Sequence, residues 1–244
     1  MSSVFVERVA GMLGPSRAFL SIMLVALLGC AGVCYGAAPN RELGGLPSDT
    51  PRLLEFSVSD FRDAGGKDWL RVSCECDGLY SQGMEGLLST LWAFKSWPTT
   101  FQGIDEVKLR SDDGTSAVIE QRTSLRFLGL SYASDLVFRD VLSRAGKIAI
   151  MNFETIEGDA TTLSVKGSWF LEDRTEATRR ITYVRYSCES YFARDFPAQA
   201  AIFRQVGAAN VKALIRQLGE AAARRASTDQ ESANASSRPG GRPR

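Results

Sequence analysis

The chain has 244 residues, 44% hydrophobic and 23% charged, with a formal net charge of +1, which suits one buried core with flanking segments. So balanced a charge gives no field to draw the protein onto nucleic acid, and no nucleic-acid partner is expected. Histidine is absent, which excludes Ser-His-Asp and Cys-His catalysis and His-containing zinc sites. Cys74-x-Cys76 has too few companions for an all-cysteine site, so neither metal nor cofactor is expected, and any enzymatic reading rests on Asp, Glu, Tyr, Lys or Cys.

At the N-terminus Arg8 and Arg17 precede an uncharged apolar run from Ala18 to Leu28 and then small residues, the order of a secretory signal. Leu27-Leu28-Gly29-Cys30 reads as a lipobox with Cys30 as the lipidated residue, Cys34-Tyr35-Gly36 offers small residues to a leader peptidase, and an uncleaved anchor fits the same length. Residues 1–37 are therefore expected to be a signal peptide or lipoprotein signal. That predicts an exported protein of the periplasm or cell envelope, with membrane association through its N-terminus. Residues 38–67, with Pro39, Pro47 and Pro51 among glycines, read as a tether holding one short element between Leu53 and Val58. Residues 226–244 lack apolar side chains in any number and are expected to be a disordered tail. The basic residues at this end, Arg224, Arg225, Arg238, Arg242 and Arg244, read as solvated.

The folded domain is placed at residues 68–225. Alternation from Trp69 to Cys76 puts Leu70, Val72, Cys74 and Cys76 on one face of a strand. A helix follows from Met84 to Phe94, giving way before Trp97-Pro98. Strands are predicted at 106–110, 116–128, 132–142, 147–156, 162–171 and 180–188, separated by turn signals such as Asp113-Gly114 and Ala145-Gly146. After Pro197, Ile202, Val206, Val211, Leu214, Ile215, Leu218 and Ala222 mark an amphipathic helix of about twenty-five residues. Consecutive hairpins with one apolar face need a cover, so the class is α+β with the last helix on an antiparallel sheet.

This order, carried by Leu91-Trp92-Ala93-Phe94, Ser96-Trp97-Pro98, Gly103-Ile104 and Val107, and by Gly167-Ser168-Trp169-Phe170-Leu171 with Arg180-Ile181-Thr182-Tyr183, resembles the START-like (SRPBCC) superfamily, of the polyketide cyclase/dehydrase or coenzyme Q-binding type, over roughly Trp69 to Ala223. The resemblance implies a helix-grip fold, a curved antiparallel sheet of about seven strands wrapped around the C-terminal helix. It also implies a hydrophobic cavity between them that family members use for sterols, phospholipids, polyketides or quinones. Both motifs are packing motifs, so no catalytic residue is carried over.

Within that frame the cavity-lining candidates are Gln121, Phe127, Tyr132 and Phe138 on the middle strands, Met151, Phe153, Trp169 and Tyr183 on the later ones, and Phe203 and Val206 on the last helix. Ile119, Leu125, Leu136 and Leu171 share the inferred face, and Thr123, Ser134 and Asn152 join Gln121 as its polar interruptions. Acid-base candidates are Glu120, Asp135, Asp140, Glu154, Tyr132 and Tyr183, with Glu120 and Asp135 on exposed faces. Because the family's first and last strands are neighbours, Cys188 is a disulfide candidate for Cys74 or Cys76, set against three buried thiols. Three functions fit: binding or carriage of a lipid, quinone or similar hydrophobic ligand; a cyclase/dehydratase-like enzyme; and an envelope interaction module with a filled core.

Overall fold

The computed structural model describes residues 50–127, 130–176, 179–194 and 199–236. The export segment with Cys30 and the arginines beyond 236 lie outside these. Eight strands form one antiparallel sheet: β1 (Arg52–Arg62), β2 (Asp68–Tyr80), β3 (Ile104–Asp112), β4 (Ser116–Phe127), β5 (Leu130–Ala145), β6 (Ile148–Glu157), β7 (Thr162–Asp173) and β8 (Thr182–Ala193). Their spatial order is β1-β2-β8-β7-β6-β5-β4-β3. Helices α1 (Met84–Trp92) and α2 (Trp97–Thr100) lie between β2 and β3, and α3 (Gln199–Ser236) ends the described chain. The sheet is curved against α3, a helix-grip α+β fold.

Two boundaries differ from the sequence reading. The short element expected inside the tether is a full edge strand of 11 residues, so the sheet includes residues from Arg52, ahead of the boundary read at 68. Phe56 and Val58 turn toward the core, and a bulge between Leu53 and Glu55 breaks the alternation that would have revealed the strand's length. At the other end α3 has 38 residues, about 57 Å of helix, so helix continues past 226 to Ser236. Arg225, read as a solvated residue of the basic end, instead donates to the Ser89 carbonyl at 2.9 Å and to Ser96 Oγ at 2.8 Å. It thereby ties α3 to the end of α1.

The turn after α1 shows why its motif is aromatic. Trp92, Phe94, Trp97 and Phe101 pack in succession at centroid distances of 5.1, 5.1 and 5.7 Å. Trp97 Nε1 donates to the Leu91 carbonyl at 2.9 Å, satisfying a backbone acceptor at the end of α1. Gly114 and Gly146 adopt positive φ of 85° and 58° in the β3–β4 and β5–β6 hairpins, conformations that cost a glycine little.

Helix α3 presents Phe203, Val211, Leu214, Ile215, Leu218 and Ala222 to the core, each buried, along one helical stripe. Where it crosses the sheet, glycine replaces side chain. A Cβ on Gly207 would collide with the Phe56 ring, and one on Gly219 would lie 2.7 Å from Tyr80 Cδ1. The Tyr80 hydroxyl donates to the Ile215 carbonyl at 2.9 Å, so its ring cannot swing aside without losing that bond. A helical Gly→Ala change ordinarily stabilises by about 1 kcal/mol. Gly219→Ala is expected to do the opposite, costing ~1–3 kcal/mol through overpacking. Gly207→Ala should cost less, because Phe56 is only partly buried on an edge strand. Urea denaturation of the two variants checks the order.

Candidate functional site: the helix-side face of the sheet

Register settles which side chains share a face. Cross-strand partners run Phe56 to Cys74, Cys74 to Cys188, Cys188 to Gly167, Gly167 to Phe153, Phe153 to Asp140 and Asp140 to Ala117. Directly paired residues project to the same side, and Phe56 lies against α3. The whole row therefore faces the helices. Stepping by two along each strand adds Ile119, Gln121 and Thr123 on β4, Ser134, Leu136 and Phe138 on β5, Met151 on β6 and Trp169 and Leu171 on β7, every one of them buried.

Of the sequence candidates, Gln121, Phe138, Met151, Phe153 and Trp169 are thus brought together on this face. Trp169 and Phe153 both pack against Tyr186, at centroid distances of 4.5 and 6.3 Å. Phe203 is buried against Phe192 at 5.4 Å, and Val206 is partly buried against the core. The side chains of Leu125, Phe127 and Tyr132 lie outside the described ones. Tyr183 is a correction: it is one position out of phase with Tyr186 and Cys188, and so occupies the opposite face. Its hydroxyl donates to Asp77 Oδ2 at 3.2 Å, the Arg174 guanidinium lies 4.3 Å from its ring centroid, and burial with the Asp77 charge pushes its pKa up to about 12. Asn152 is likewise exposed on the outer face.

The acidic candidates separate in the same way. Glu120, Asp135 and Glu154 lie outside, beside Arg110 at 2.7 Å, Arg122 at 4.0 Å and Arg139 at 3.5 Å. Glu106, Lys108, Arg110, Glu120, Arg122, Asp135 and Glu157 line an open outer groove of about 390 Å³. Its charges answer one another across solvent and leave no single sign to select a ligand. Asp77, also buried, is held by Arg52 Nε at 2.9 Å and Nη2 at 2.7 Å.

Asp140 alone among these acids is on the helix side. It is 1% exposed, both carboxylate oxygens lack a hydrogen-bond partner, and burial alone drives its pKa well above the carboxylate range. An ion there would be uncompensated, so the surroundings favour the neutral acid. Even so, each unsatisfied buried polar atom costs about 1–3 kcal/mol. Gln121 Nε2 is also buried without a partner. Thr123 and Ser134 differ: Thr123 Oγ1 donates to the Ser134 carbonyl at 3.4 Å and Ser134 Oγ to Asp159 Oδ2 at 2.6 Å, so both serve the structure.

Cys74, Cys76 and Cys188 are buried thiols. Cys188 directly faces Cys74, whereas Cys76 faces Tyr186, which leaves Cys74 as its cross-strand partner for any bridge. Burial raises the Cys76 thiol to about 12 and Cys74 well above its ordinary value, so neither is a thiolate near neutral pH. Among the described residues no three of Cys, Asp and Glu come together as a metal-holding set.

Human STARD10 superposes with a TM-score of 0.53 at 9% identity, over 72% of this chain and 76% of that one. The fold is START-like. Other solved structures similar to the START-like domain are the Zhui aromatase/cyclase of a Streptomyces species, at TM-score 0.47, 13% identity and 62% and 93% coverage, and the STAR-related lipid transfer protein (fragment) from Xanthomonas axonopodis, at TM-score 0.47, 13% identity and 65% and 96% coverage. No protein-family model matches the chain, and no curated protein matches it in sequence.

Asp140 makes the START-like domain pH-sensitive in a direction opposite to that of a salt-bridged acid. Its pKa is higher folded than unfolded, so the native state binds the extra proton. Its contribution is complete below about pH 4 and is lost as pH rises toward the folded value, with a slope of up to ~1.4 kcal/mol per pH unit. Asp140→Asn should abolish that slope and be the more stable protein at neutral pH. Urea midpoints for both proteins at several pH values test this, and parallel curves would show that Asp140 ionises normally.

Proposed function

We propose that the domain binds and carries an apolar molecule between the helix-side face of its sheet and the helices that cover it. The observation that carries this reading is that Asp140 and Gln121, two of the buried polar groups left without a hydrogen-bond partner, stand among Ile119, Leu136, Phe138, Met151, Phe153 and Trp169. Buried polar atoms are nearly always satisfied in native proteins. Few convergent polar groups on an apolar surface are what orient a small molecule, and a bound molecule would supply the partners these two lack. A START-like fold, with a curved sheet closed by a long helix, is compatible with such a space.

Ala117, fully buried and directly opposite Asp140, is the place to test it. If the face is ligand-accessible, Ala117→Phe should abolish uptake of Nile red and move the thermal midpoint by less than ~3 °C. An organic extract of the purified wild-type protein should also contain a stoichiometric apolar compound. In a filled core the same change overpacks and costs about 1–3 kcal/mol. With a wild type that takes up no dye, that result would favour the interaction module.

Setting in the cell envelope belongs to the same proposal and rests on the sequence of residues 1–37. With Cys30 as the lipidated residue, labelled palmitate should enter the wild type and be lost in Cys30→Ala. Label retained in the variant would remove the lipoprotein route.

A further inference from the structure

The chemical class of the molecule follows from what Asp140 and Gln121 can and cannot bond, and this inference rests on the carriage reading above. The two lie on adjacent strands and the same face. Asp140 pairs with Ala117, and Gln121 stands four residues further along β4, an offset of roughly 13 Å at about 3.3 Å per residue. Between them the floor is Ile119 against Phe138, with Leu136 beside Gln121, so the two polar ends are separated by hydrocarbon.

Gln121 Nε2 is a donor and asks for an acceptor. Asp140, as a neutral acid, offers one donor and keeps an acceptor. Its neighbours on this face are Ala117 and Phe153 across the ladder and Phe138 and Leu142 along its own strand. On the helix-side face of β4 through β7 the one cation among the described residues is Arg144, four residues from Asp140 at the far end of β5 and held by Glu85 of α1 at 2.7 Å. A phosphate or carboxylate placed between Asp140 and Gln121 would meet no uncommitted cation and would give up its hydration without return. A fixed positive charge would have to ionise Asp140 and bury both charges among Ala117, Phe138, Leu142 and Phe153, a pair whose attraction does not repay its desolvation.

We propose that the ligand is an uncharged, elongated, apolar molecule bearing a hydroxyl or carbonyl oxygen toward each end, one held by Gln121 and the other by Asp140, and that ionised headgroups are excluded from this face.

Fluorescence titration of the full chain with a matched series tests it: stilbene, its mono-para-hydroxyl and di-para-hydroxyl derivatives, and stilbenes carrying a carboxylate or a trimethylammonium group. The dihydroxy compound should bind at least about ten-fold more tightly than stilbene, ~1.4 kcal/mol, with the monohydroxy compound between them and both charged compounds no tighter than stilbene. Asp140→Leu and Gln121→Leu should each bring the dihydroxy compound down to the monohydroxy level, read as its ratio to stilbene in the same variant. Asp140→Asn, which keeps a donor and the shape, should retain most of the preference. A hydroxyl preference that survives Asp140→Leu, or tightest binding of the ammonium or carboxylate compound, overturns the proposal. Stilbene binding to which hydroxyls add nothing overturns this proposal and leaves carriage standing, whereas failure of the wild type to bind any member of the series overturns both.

Discussion

The seating of α3 on the sheet depends on one close contact, the Tyr80 ring lying over Gly219 with its hydroxyl bonded to the Ile215 carbonyl. A helix can approach a strand this closely only where a side chain is missing. Once it does, the stripe from Phe203 to Ala222 is brought onto the same side of the sheet as Phe56, Cys74 and Cys188. The helix thus decides which side of each strand is interior. Every alternation in the sheet then follows from its register, and a one-residue slip in any strand would exchange the two faces.

That dependence explains what could be read from residues alone. Leu70, Val72, Cys74 and Cys76 alternate cleanly because β2 is central and regular, and their common face stood out. In β5, Leu136 and Phe138 were also legible. Tyr183 was not, because β8 begins with three consecutive buried residues, Thr182, Tyr183 and Val184, and apolarity on both sides erases the phase. Strand β1 hid behind the prolines that precede it and behind its bulge. The last helix was underestimated because beyond Ala226 it is held by local helix propensity and Arg225's anchorage nearby, with no apolar stripe to mark it.

The candidate site was legible in composition but not in electrostatics. Glu120, Asp135, Asp140 and Glu154 are interchangeable as residue types, and only pairing across strands shows that three stand beside an arginine in solvent while the fourth stands beside Phe153 and Ala117. Gln121 was recognisable as a polar interruption on the apolar face. That Ser134 is occupied by the turn at Asp159 depends on a contact 25 residues away in sequence, which no local pattern contains. The result is a division of labour between faces: the outer face neutralises its charges pair by pair, and the inner face leaves Asp140 and Gln121 unanswered.

Strand β1 also determines how the domain bears load. The chain enters it at Arg52, and β1 turns back through Asp63–Lys67 into β2, so tension transmitted from residues 1–49 against the rest of the sheet would pull on the open end of a hairpin. Rungs in that geometry open in turn and do not share the force. The first is the double Arg52–Asp77 bond and the last the Arg62–Asp68 pair. Peeling would therefore start at low force, lift Phe56 and then Val58 off α3, and stop at the β2–β8 ladder. Tension would thus loosen one side of the helix's grip while seven strands remained joined.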